Sequence, residues 1–182
     1  MKIGVLGGSF DPVHRGHLLL ARKAQKKLAL DRILFIPAYQ NPLKSTLPAD
    51  IRHRFVMLAL ALRKEDTFFL SDFELQHPGK SYTYDTLVHL HKIFPGGKFY
   101  LLAGTDNLSQ FKRWHRFQEL EKLCQIVLIS RGKRSAEQYP VLPFSCPVSS
   151  TQIRKKLKNG EPVTRMVPAE TLKYIKKNGL YI

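Results

Sequence analysis

The residue types and spacing best suited to chemistry lie near the start of the chain, in segment 7–17, Gly-Gly-Ser-Phe-Asp-Pro-Val-His-Arg-Gly-His. A short strand-like apolar run, 2–7, leads straight into this segment. Glycine has no Cβ, so the backbone N–H groups around it can approach phosphate oxygens closely. The segment therefore predicts a phosphate-binding loop, with candidate contacts at Gly7, Gly8, Ser9 and Phe10.

Two histidines, His14 and His17, follow the glycines. Asp11 and Pro12 before them are typical of a helix start, because aspartate can cap an N-terminus and proline is favoured at the first position. In such a helix both histidines would project from one face at the N-terminus, where the dipole stabilises an anion. We expect Gly16, between them, to leave room for the ligand.

Other interpretations of this segment stay open. A glycine turn after a strand is common, and a surface histidine indicates nothing by itself. The segment is neither a Walker loop nor a Gly-x-Gly-x-x-Gly dinucleotide fingerprint. Two histidines could also ligate zinc, but no further Cys, His or carboxylate is suitably spaced, so we predict no metal site built from protein ligands.

A second polar cluster lies towards the other end of the chain, at Ser149, Ser150, Thr151 and Arg154. The three hydroxyl residues precede an amphipathic run, which predicts a helix start rich in hydrogen-bond donors. Arg154, one turn into that helix, could grip a phosphate with two hydrogen bonds. The alternative is a capped surface helix with a solvated basic face.

Together the two clusters resemble the signatures of the nucleotidyltransferase superfamily, Gly-x-Phe-x-Pro-x-His-x-Gly-His and Ile/Val-Ser-Ser-Thr-x-Ile-Arg. They stand here at 8–17 and 148–154. In that superfamily the histidines contact the ATP phosphates and stabilise the transition state, and the arginine holds the polyphosphate. The resemblance therefore implies that His14, His17 and Arg154 are catalytic.

Within the superfamily, the chain resembles nicotinate mononucleotide adenylyltransferases over essentially its whole length. Pantetheine-phosphate adenylyltransferases usually carry threonine at the position of His14, and cytidylyltransferases end in a different C-terminal signature. The family commonly has an Asn-Pro-Pro-His-Lys loop, which corresponds here to Asn41-Pro42-Leu43-Lys44, one residue shorter and without the histidine. The resemblance implies a phosphate contact by Lys44 as a further catalytic residue.

The same resemblance divides the other candidates between two substrates. Backbone amides near Tyr82 and Thr83 would receive the nicotinate carboxylate, and Trp114 would stack on the pyridine ring. A capped helix and a core tryptophan are the structural alternatives. Asp106 would accept hydrogen bonds from ribose hydroxyls, and Ile129 would lie against the adenine. The mononucleotide candidates are Asn41, Tyr82, Thr83, Trp114 and His115. The ATP candidates are Gly7, Gly8, Ser9, Phe10, Gly16, Gly104, Asp106, Ile129, Arg131, Ser149, Ser150 and Thr151.

The elements that must position these residues are apolar strands alternating with helices. Strands are predicted at 2–7, 33–37, 68–71, 99–103 and 125–129, and helices at 15–30, 49–64, 81–94, 107–123, 150–159 and 168–178. This alternation indicates a parallel sheet covered on both faces. We expect a single domain, 1–182, with an α/β, Rossmann-like, doubly wound sheet and C-terminal helices. Ligands of such a sheet bind beyond the carboxyl ends of its strands, which places the chemistry near Ser9, Asn41, Gly104 and Arg131.

Composition narrows the class of protein. Two cysteines cannot make a disulfide framework, and with neither a signal-peptide pattern nor an apolar stretch long enough for the membrane we expect a cytoplasmic protein. The net charge of +16 suggests an anionic partner, either a polyphosphate, a membrane surface or a nucleic acid. The alternative is a solvated basic surface with no such partner. A nucleic-acid-binding protein is the rival class, although no known binding module is present.

The resemblance implies attack of the mononucleotide 5′-phosphate on the α-phosphorus of ATP. A phosphate monoester is already anionic at neutral pH, so no general base is needed, which fits the absence of a catalytic triad. We expect Mg²⁺ to arrive with ATP, held mostly by phosphate and water. The partners expected are therefore ATP and nicotinate mononucleotide, with no nucleic acid and no membrane required. A homo-oligomer, and the preference between acid and amide substrates, stay open.

Overall fold

The computed structural model describes residues 1–42, 49–130 and 138–182. Its strands are β1 Lys2–Gly8, β2 Arg32–Pro37, β3 Phe68–Leu70, β4 Lys98–Gly104, β5 Gln125–Ser130 and β6 Val141–Pro143. Its α-helices are α1 Arg15–Leu28, α2 Ile51–Leu62, α3 Phe73–Gln76, α4 Thr83–Ile93, α5 Phe117–Leu123, α6 Ser150–Lys158 and α7 Ala169–Lys177. A 3₁₀ helix, Thr105–Arg113, follows β4.

The six strands form one sheet in the order β3-β2-β1-β4-β5-β6, and every neighbouring pair is parallel. The order reverses between β1 and β4, which are hydrogen-bonded neighbours at the centre. In a doubly wound sheet a ligand crevice opens at such a switch point, beyond the carboxyl ends of the strands. Gly8 and Gly104 end these two strands, so the sheet places both at that crevice.

Both faces of the sheet are covered, as expected for its apolar strands. Along β2, Ile33 and Phe35 point to one core cluster while Leu34 and Ile36 point to the other. Buried residues of α1, α2, α6 and α7 belong to the first cluster, and those of α4, α5 and the 3₁₀ helix to the second. The predicted doubly wound α/β fold with C-terminal helices is confirmed.

The predicted helix 107–123 is wrong as one continuous helix, because the segment is divided into two. The chain forms the 3₁₀ helix, is extended at Trp114, and turns through a left-handed residue at Arg116 (φ 51°) before α5 begins. The apolar residues of this segment repeat every third position, which is the period of a 3₁₀ helix. The prediction treated this repeat as the pattern of an α-helix. The interruption lets the rings of Phe111 and Phe117 stack with centroids 4.9 Å apart, and Trp114 packs edge-on against Phe111.

The predicted helix start at Asp11-Pro12 is also wrong. These residues form a turn with a cis peptide bond between them, and α1 begins at Arg15 with His14 as its N-cap residue. The Asp11 carboxylate instead accepts hydrogen bonds from the Ala49 amide and the Tyr181 hydroxyl. Long-range partners therefore replace the local capping interaction that the sequence suggested.

Two short elements were not predicted. β6, Val141–Pro143, pairs only along the outer side of β5, where proline is tolerated because an edge strand can lack a ladder donor. α3, Phe73–Gln76, is a single turn ahead of α4. Across the described parts of the chain, none of the helices combines the length and apolar character needed to cross a membrane.

Candidate active site

Two adjoining cavities open at the carboxyl ends of β1 and β4. The first, called here the histidine cavity, has a volume of about 640 Å³ and is lined by His14, His17, Ser149 and Ser150 among others. The second, the tryptophan cavity, has a volume of about 200 Å³ and includes Trp114 in its wall. Gly7, Leu102 and Gly104 line both. The two cavities therefore meet at the switch point of the sheet.

The two histidines lie together at the N-terminus of α1. Their rings are stacked with centroids 3.7 Å apart, and the His14 amide donates to Nδ1 of His17 at 3.2 Å. Because Nδ1 of His17 accepts this bond, the proton of the neutral ring is on Nε2. His17 is thus oriented as a hydrogen-bond donor through Nε2, and its backbone N–H lies at the positive end of the helix dipole.

The environment keeps His17 neutral. Burial lowers the pKa of His17 well below its ordinary value, and the neighbouring His14 lowers it further. Two stacked imidazoles this close repel each other when both are charged, so one proton on the pair already disfavours a second. A neutral His17 can donate a hydrogen bond to a phosphate oxygen without first losing a proton.

The glycines of the segment differ in what surrounds them. A Cβ built on Gly7 would meet nothing within 4 Å, so space lies open where the two cavities join. A Cβ on Gly16 would lie 2.9 Å from Nδ1 of His14 and 3.1 Å from Sγ of Cys146. Gly16 lines the histidine cavity, but its missing Cβ makes room for His14 and Cys146, and its contact with a ligand stays a prediction. Gly7 has the open space instead.

The second cluster meets the first loop directly. The Ser149 hydroxyl caps α6 by accepting from the Gln152 amide at 3.2 Å, which confirms the predicted helix start. The Ser150 hydroxyl donates to the Pro12 carbonyl at 2.9 Å. Arg154 donates from Nη1 to the Asp11 carbonyl at 2.7 Å. The segment after β1 and the start of α6 are therefore hydrogen-bonded to each other beside the histidine cavity.

The tryptophan cavity contains all five predicted mononucleotide residues, Asn41, Tyr82, Thr83, Trp114 and His115. Tyr82 is the N-cap of α4 and Thr83 its first residue, so the helix N-terminus faces this cavity. An N-terminus stabilises an anion through its unpaired amides and its dipole. Trp114 lines the cavity and also packs on the second core cluster, so the core alternative and the site prediction both describe part of its position.

The end of β4 forms the wall between the cavities. A Cβ on Gly104 would lie 2.2 Å from Oδ1 of Asp106, so only glycine lets that carboxylate sit against the strand end. Asp106 and Ile129 line the histidine cavity. Asn107, which sequence reasoning missed, lines the tryptophan cavity and donates to the Gly104 carbonyl at 3.1 Å.

Several predicted contacts lie away from both cavity walls. Phe10 is 2% exposed and packs edge-on against His17 at 5.0 Å, so its ring supports the histidine and does not face a ligand. The carbonyl of Ser9 accepts from Arg54, Thr151 is exposed, and Arg154 contacts the Asp11 carbonyl. Lys44 and Arg131 lie outside the described residues.

Arg54 is a buried residue that sequence reasoning missed. It is 1% exposed, and its guanidinium donates to four carbonyls, those of Ser9, Ala38, Tyr39 and Ala49, at 2.7 to 3.0 Å. Burial lowers the pKa of Arg54, opposed mainly by Asp11. The available signal is a cation on the apolar face of α2, between Ile51 and Leu58. Arg54 holds the loops after β1 and β2 in place.

Glu74 is a second missed residue, in the wall of the tryptophan cavity. It is 8% exposed, and its Oε1 accepts from the Thr86 hydroxyl at 2.7 Å. Burial raises the pKa of Glu74, while hydrogen bonds from Ser81 and Thr86 oppose the shift. Its contact with Thr86 braces the first turns of α4, where Tyr82 and Thr83 lie.

The lining of the histidine cavity includes four side chains of types that can bind metals, those of His14, His17, Asp106 and Cys146. Within the ranges 1–42, 49–130 and 138–182, no three or more His, Cys, Asp or Glu side chains are grouped as a metal site would require. Asp106 is the carboxylate in the wall of the histidine cavity. The donors there, imidazoles, hydroxyls and amides, are the groups that contact phosphate oxygens.

Comparison with known proteins agrees with this arrangement. The profile of the cytidylyltransferase-like family matches residues 5–156. A Thermus thermophilus protein named "Probable nicotinate-nucleotide adenylyltransferase" is 40% identical over the full length of both chains. A protein of the same name from Oceanobacillus iheyensis is 38% identical, over 99% of this chain and 96% of its own.

A solved structure shares the fold. The Plasmodium falciparum nicotinic acid mononucleotide adenylyltransferase complexed with NaAD superposes with a TM-score of 0.80, at 23% identity, over 99% of this chain and 97% of that one. Its resemblance concerns the fold, whereas the full-length sequence matches establish membership. The chain therefore belongs to the cytidylyltransferase-like family and, within it, to the nicotinate-nucleotide adenylyltransferases.

Proposed function

We propose that this protein transfers the adenylyl group of ATP to nicotinate mononucleotide, forming nicotinic acid adenine dinucleotide and pyrophosphate in the biosynthesis of NAD. The junction of the two cavities at Gly7 and Gly104 carries this proposal. A triphosphate in the histidine cavity and a mononucleotide in the tryptophan cavity would meet at that junction. Holding two reactants in line, together with electrostatic stabilisation of the phosphate charge, is the source of rate in phosphoryl transfer.

The chemical step needs no general base. The second pKa of a phosphate monoester is about 6, so its oxygen is anionic at neutral pH. This oxygen forms a bond to the α-phosphorus of ATP, and the bond from that phosphorus to the bridging oxygen of pyrophosphate breaks. Charge grows on the phosphate oxygens, where Nε2–H of His17 would donate and His14 would assist. The histidines act as hydrogen-bond donors in this scheme, not as bases or metal ligands.

We assign the binding of the departing pyrophosphate to Arg154 and Lys44. Arg154 has five donors, of which one on Nη1 bonds to the Asp11 carbonyl and one on Nη2 makes a long bond to the Thr151 hydroxyl at 3.4 Å, which leaves others for phosphate oxygens. The role of Lys44 rests on the family resemblance. The adenosine would lie towards Asp106 and Ile129, with Arg131 against the adenine. Mg²⁺ would come bound to the ATP phosphates and waters, where it neutralises charge.

The N-terminus of α4 favours the acid form of the substrate. Its first amides, at Tyr82 and Thr83, face the tryptophan cavity. A carboxylate on the pyridine ring gains from these amides and the dipole, whereas a neutral carboxamide gains less. The reaction requires neither nucleic acid nor membrane, and we assign it to the cytoplasm.

A pyrophosphate-release assay with three acceptors tests the proposal. We expect turnover to be fastest with nicotinate mononucleotide, slower with nicotinamide mononucleotide and absent with phosphopantetheine. Faster turnover with phosphopantetheine would assign the protein to another adenylyltransferase class. Salt-sensitive binding to DNA with no turnover on any acceptor would favour the nucleic-acid-binding class instead.

A further inference from the structure

The C-terminal tail of the chain contacts the active-site loop through one side chain. The hydroxyl of Tyr181 donates to Oδ1 of Asp11 at 2.7 Å. The same oxygen accepts from the Ala49 amide at 3.1 Å, and Oδ2 lies 3.4 Å from Nη1 of Arg154. Asp11 is 7% exposed. One buried carboxylate therefore links the tail, the loop after β1 and the arginine of α6.

The backbone of the tail is shaped for this contact. α7 ends in a Schellman motif, in which Leu180 donates to the Ile175 carbonyl at 3.0 Å and Gly179 adopts a left-handed φ of 60°. Tyr181 itself has a φ of 65°, a region that costs energy for any residue with a Cβ. The turn aims the tyrosine back at the body of the protein, so its strained backbone is offset by contacts of the side chain.

The phenol stays protonated as a donor. Burial, and then the hydrogen bond to Asp11, raise the pKa of Tyr181 far above its ordinary range. Because Oδ1 accepts from both Tyr181 and Ala49, the Asp11 carboxylate is fixed in one orientation, with Oδ2 facing Nη1 of Arg154. Nη1 of Arg154 then has two contacts with Asp11, one with its carbonyl at 2.7 Å and one with Oδ2 at 3.4 Å, and Nη2 makes a long contact with the Thr151 hydroxyl at 3.4 Å. A donor held in place loses less entropy when it binds an anion.

We infer that Tyr181 is a positioning residue, which fixes Asp11 and through it sets the orientation of Arg154 for the pyrophosphate group. The inference rests on the proposed function only in identifying pyrophosphate as the leaving group. It concerns the pyrophosphate that Arg154 would bind and not the acceptor mononucleotide, so a binding measurement without turnover can test it.

The test measures the Kd for inorganic pyrophosphate by calorimetry in the full-length protein, comparing wild type with Tyr181→Phe. We expect Tyr181→Phe to weaken binding by about five- to tenfold, the scale of one lost hydrogen bond. Tyr174→Phe is the matched control, because Tyr174 also contacts the body of the protein from α7, at Nδ1 of His53 (2.9 Å). Its hydroxyl does not touch Asp11, so we expect an unchanged Kd.

A double-mutant cycle separates positioning from a general structural effect. In an Arg154→Met background, we expect Tyr181→Phe to change the Kd by less than about twofold, since the group it orients is gone. The same five- to tenfold loss in that background, or equal effects of Tyr181→Phe and Tyr174→Phe, would overturn the inference. Wild type that turns over no acceptor yet still shows the expected pattern would refute the proposed reaction alone.

Discussion

At the scale of single residues, the oriented imidazole of His17 is the group on which the chemistry depends most. Its Nδ1 is occupied by the His14 amide, so Nε2–H is the donor available to a ligand. We expect His17→Ala to lower kcat by about two orders of magnitude or more, the scale of a lost transition-state donor. Steady-state pyrophosphate release measures it, and turnover near that of wild type would remove His17 from the mechanism.

A matched variant separates the two nitrogens. His17→Asn keeps a side-chain acceptor near the His14 amide but has no group in the place of Nε2. We expect the same loss of kcat as in His17→Ala with a smaller loss of stability in thermal unfolding, because an Asn oxygen can still accept from the amide. Equal destabilisation by both substitutions would show that the oxygen of the introduced asparagine does not replace Nδ1 of His17 as the acceptor of the His14 amide.

The lowered pKa of His17 also makes stability depend on pH. The folded state resists protonating this ring, whereas the unfolded chain takes up a proton near the ordinary value of 6.5. The unfolded state therefore binds more protons below that value, and the free energy of unfolding falls as pH falls. We expect Tm to decrease between pH 7.5 and pH 5.5, and to decrease less in His17→Asn. An equal decrease in both proteins would assign the effect to other groups.

At the scale of elements, β1 contains two glycines with opposite surroundings, Gly4 and Gly7. A Cβ at Gly4 would lie 2.6 Å from Cδ1 of Ile33, whereas one at Gly7 would meet nothing within 4 Å. We expect Gly4→Ala to destabilise the fold by about 1–3 kcal/mol through overpacking while KM for ATP is unchanged. Gly7→Ala should leave stability within about 0.5 kcal/mol and raise KM for ATP by about tenfold.

Urea unfolding and steady-state kinetics on the two variants measure both effects. The pair is informative because the same substitution is made twice on one strand. If Gly7→Ala left KM for ATP unchanged, the open space at the junction of the cavities would not be occupied by ATP. If Gly4→Ala raised KM as well, the effect of Gly7→Ala could not be attributed to lost space for the ligand.

The strands, helices and turns also differ in how well they could be predicted from the sequence. Apolar runs such as Ile33–Ile36 alternate between two cores, so they predict a doubly covered parallel sheet without knowledge of partners. The first motif predicts polar groups at a strand end, because it directly follows β1, whereas the second is recognisable only as the start of a helix. The turn at Asp11 was mispredicted, since its partners Ala49 and Tyr181 are 38 and 170 residues away. Arg54 was missed for a similar reason, because four carbonyls from the loops after β1 and β2 explain its burial, and three of them are 15 to 45 residues away.

At the scale of the whole molecule, the net charge of +16 has two consequences. It attracts anionic substrates, which fits a site that must bind a triphosphate and a mononucleotide together. It also makes the folded chain repel itself. Among the described residues the ion pairs are at the surface or partly exposed, as for Arg52 with Asp50, and such pairs contribute little. Self-repulsion should therefore outweigh surface pairing.

We accordingly expect sodium chloride to stabilise the protein. Raising the concentration from 20 to 300 mM shortens the screening length to about 6 Å, which weakens repulsion between distant lysines and arginines more than contact pairs. Tm should increase, measured by thermal unfolding with chloride, because sulfate or phosphate would bind the histidine cavity and confuse the result. A charge-reduced control, Lys155→Gln with Lys158→Gln on the exposed side of α6, should show a smaller increase. A decrease of Tm with salt would mean that ion pairs such as Arg22 with Glu65 dominate the surface electrostatics.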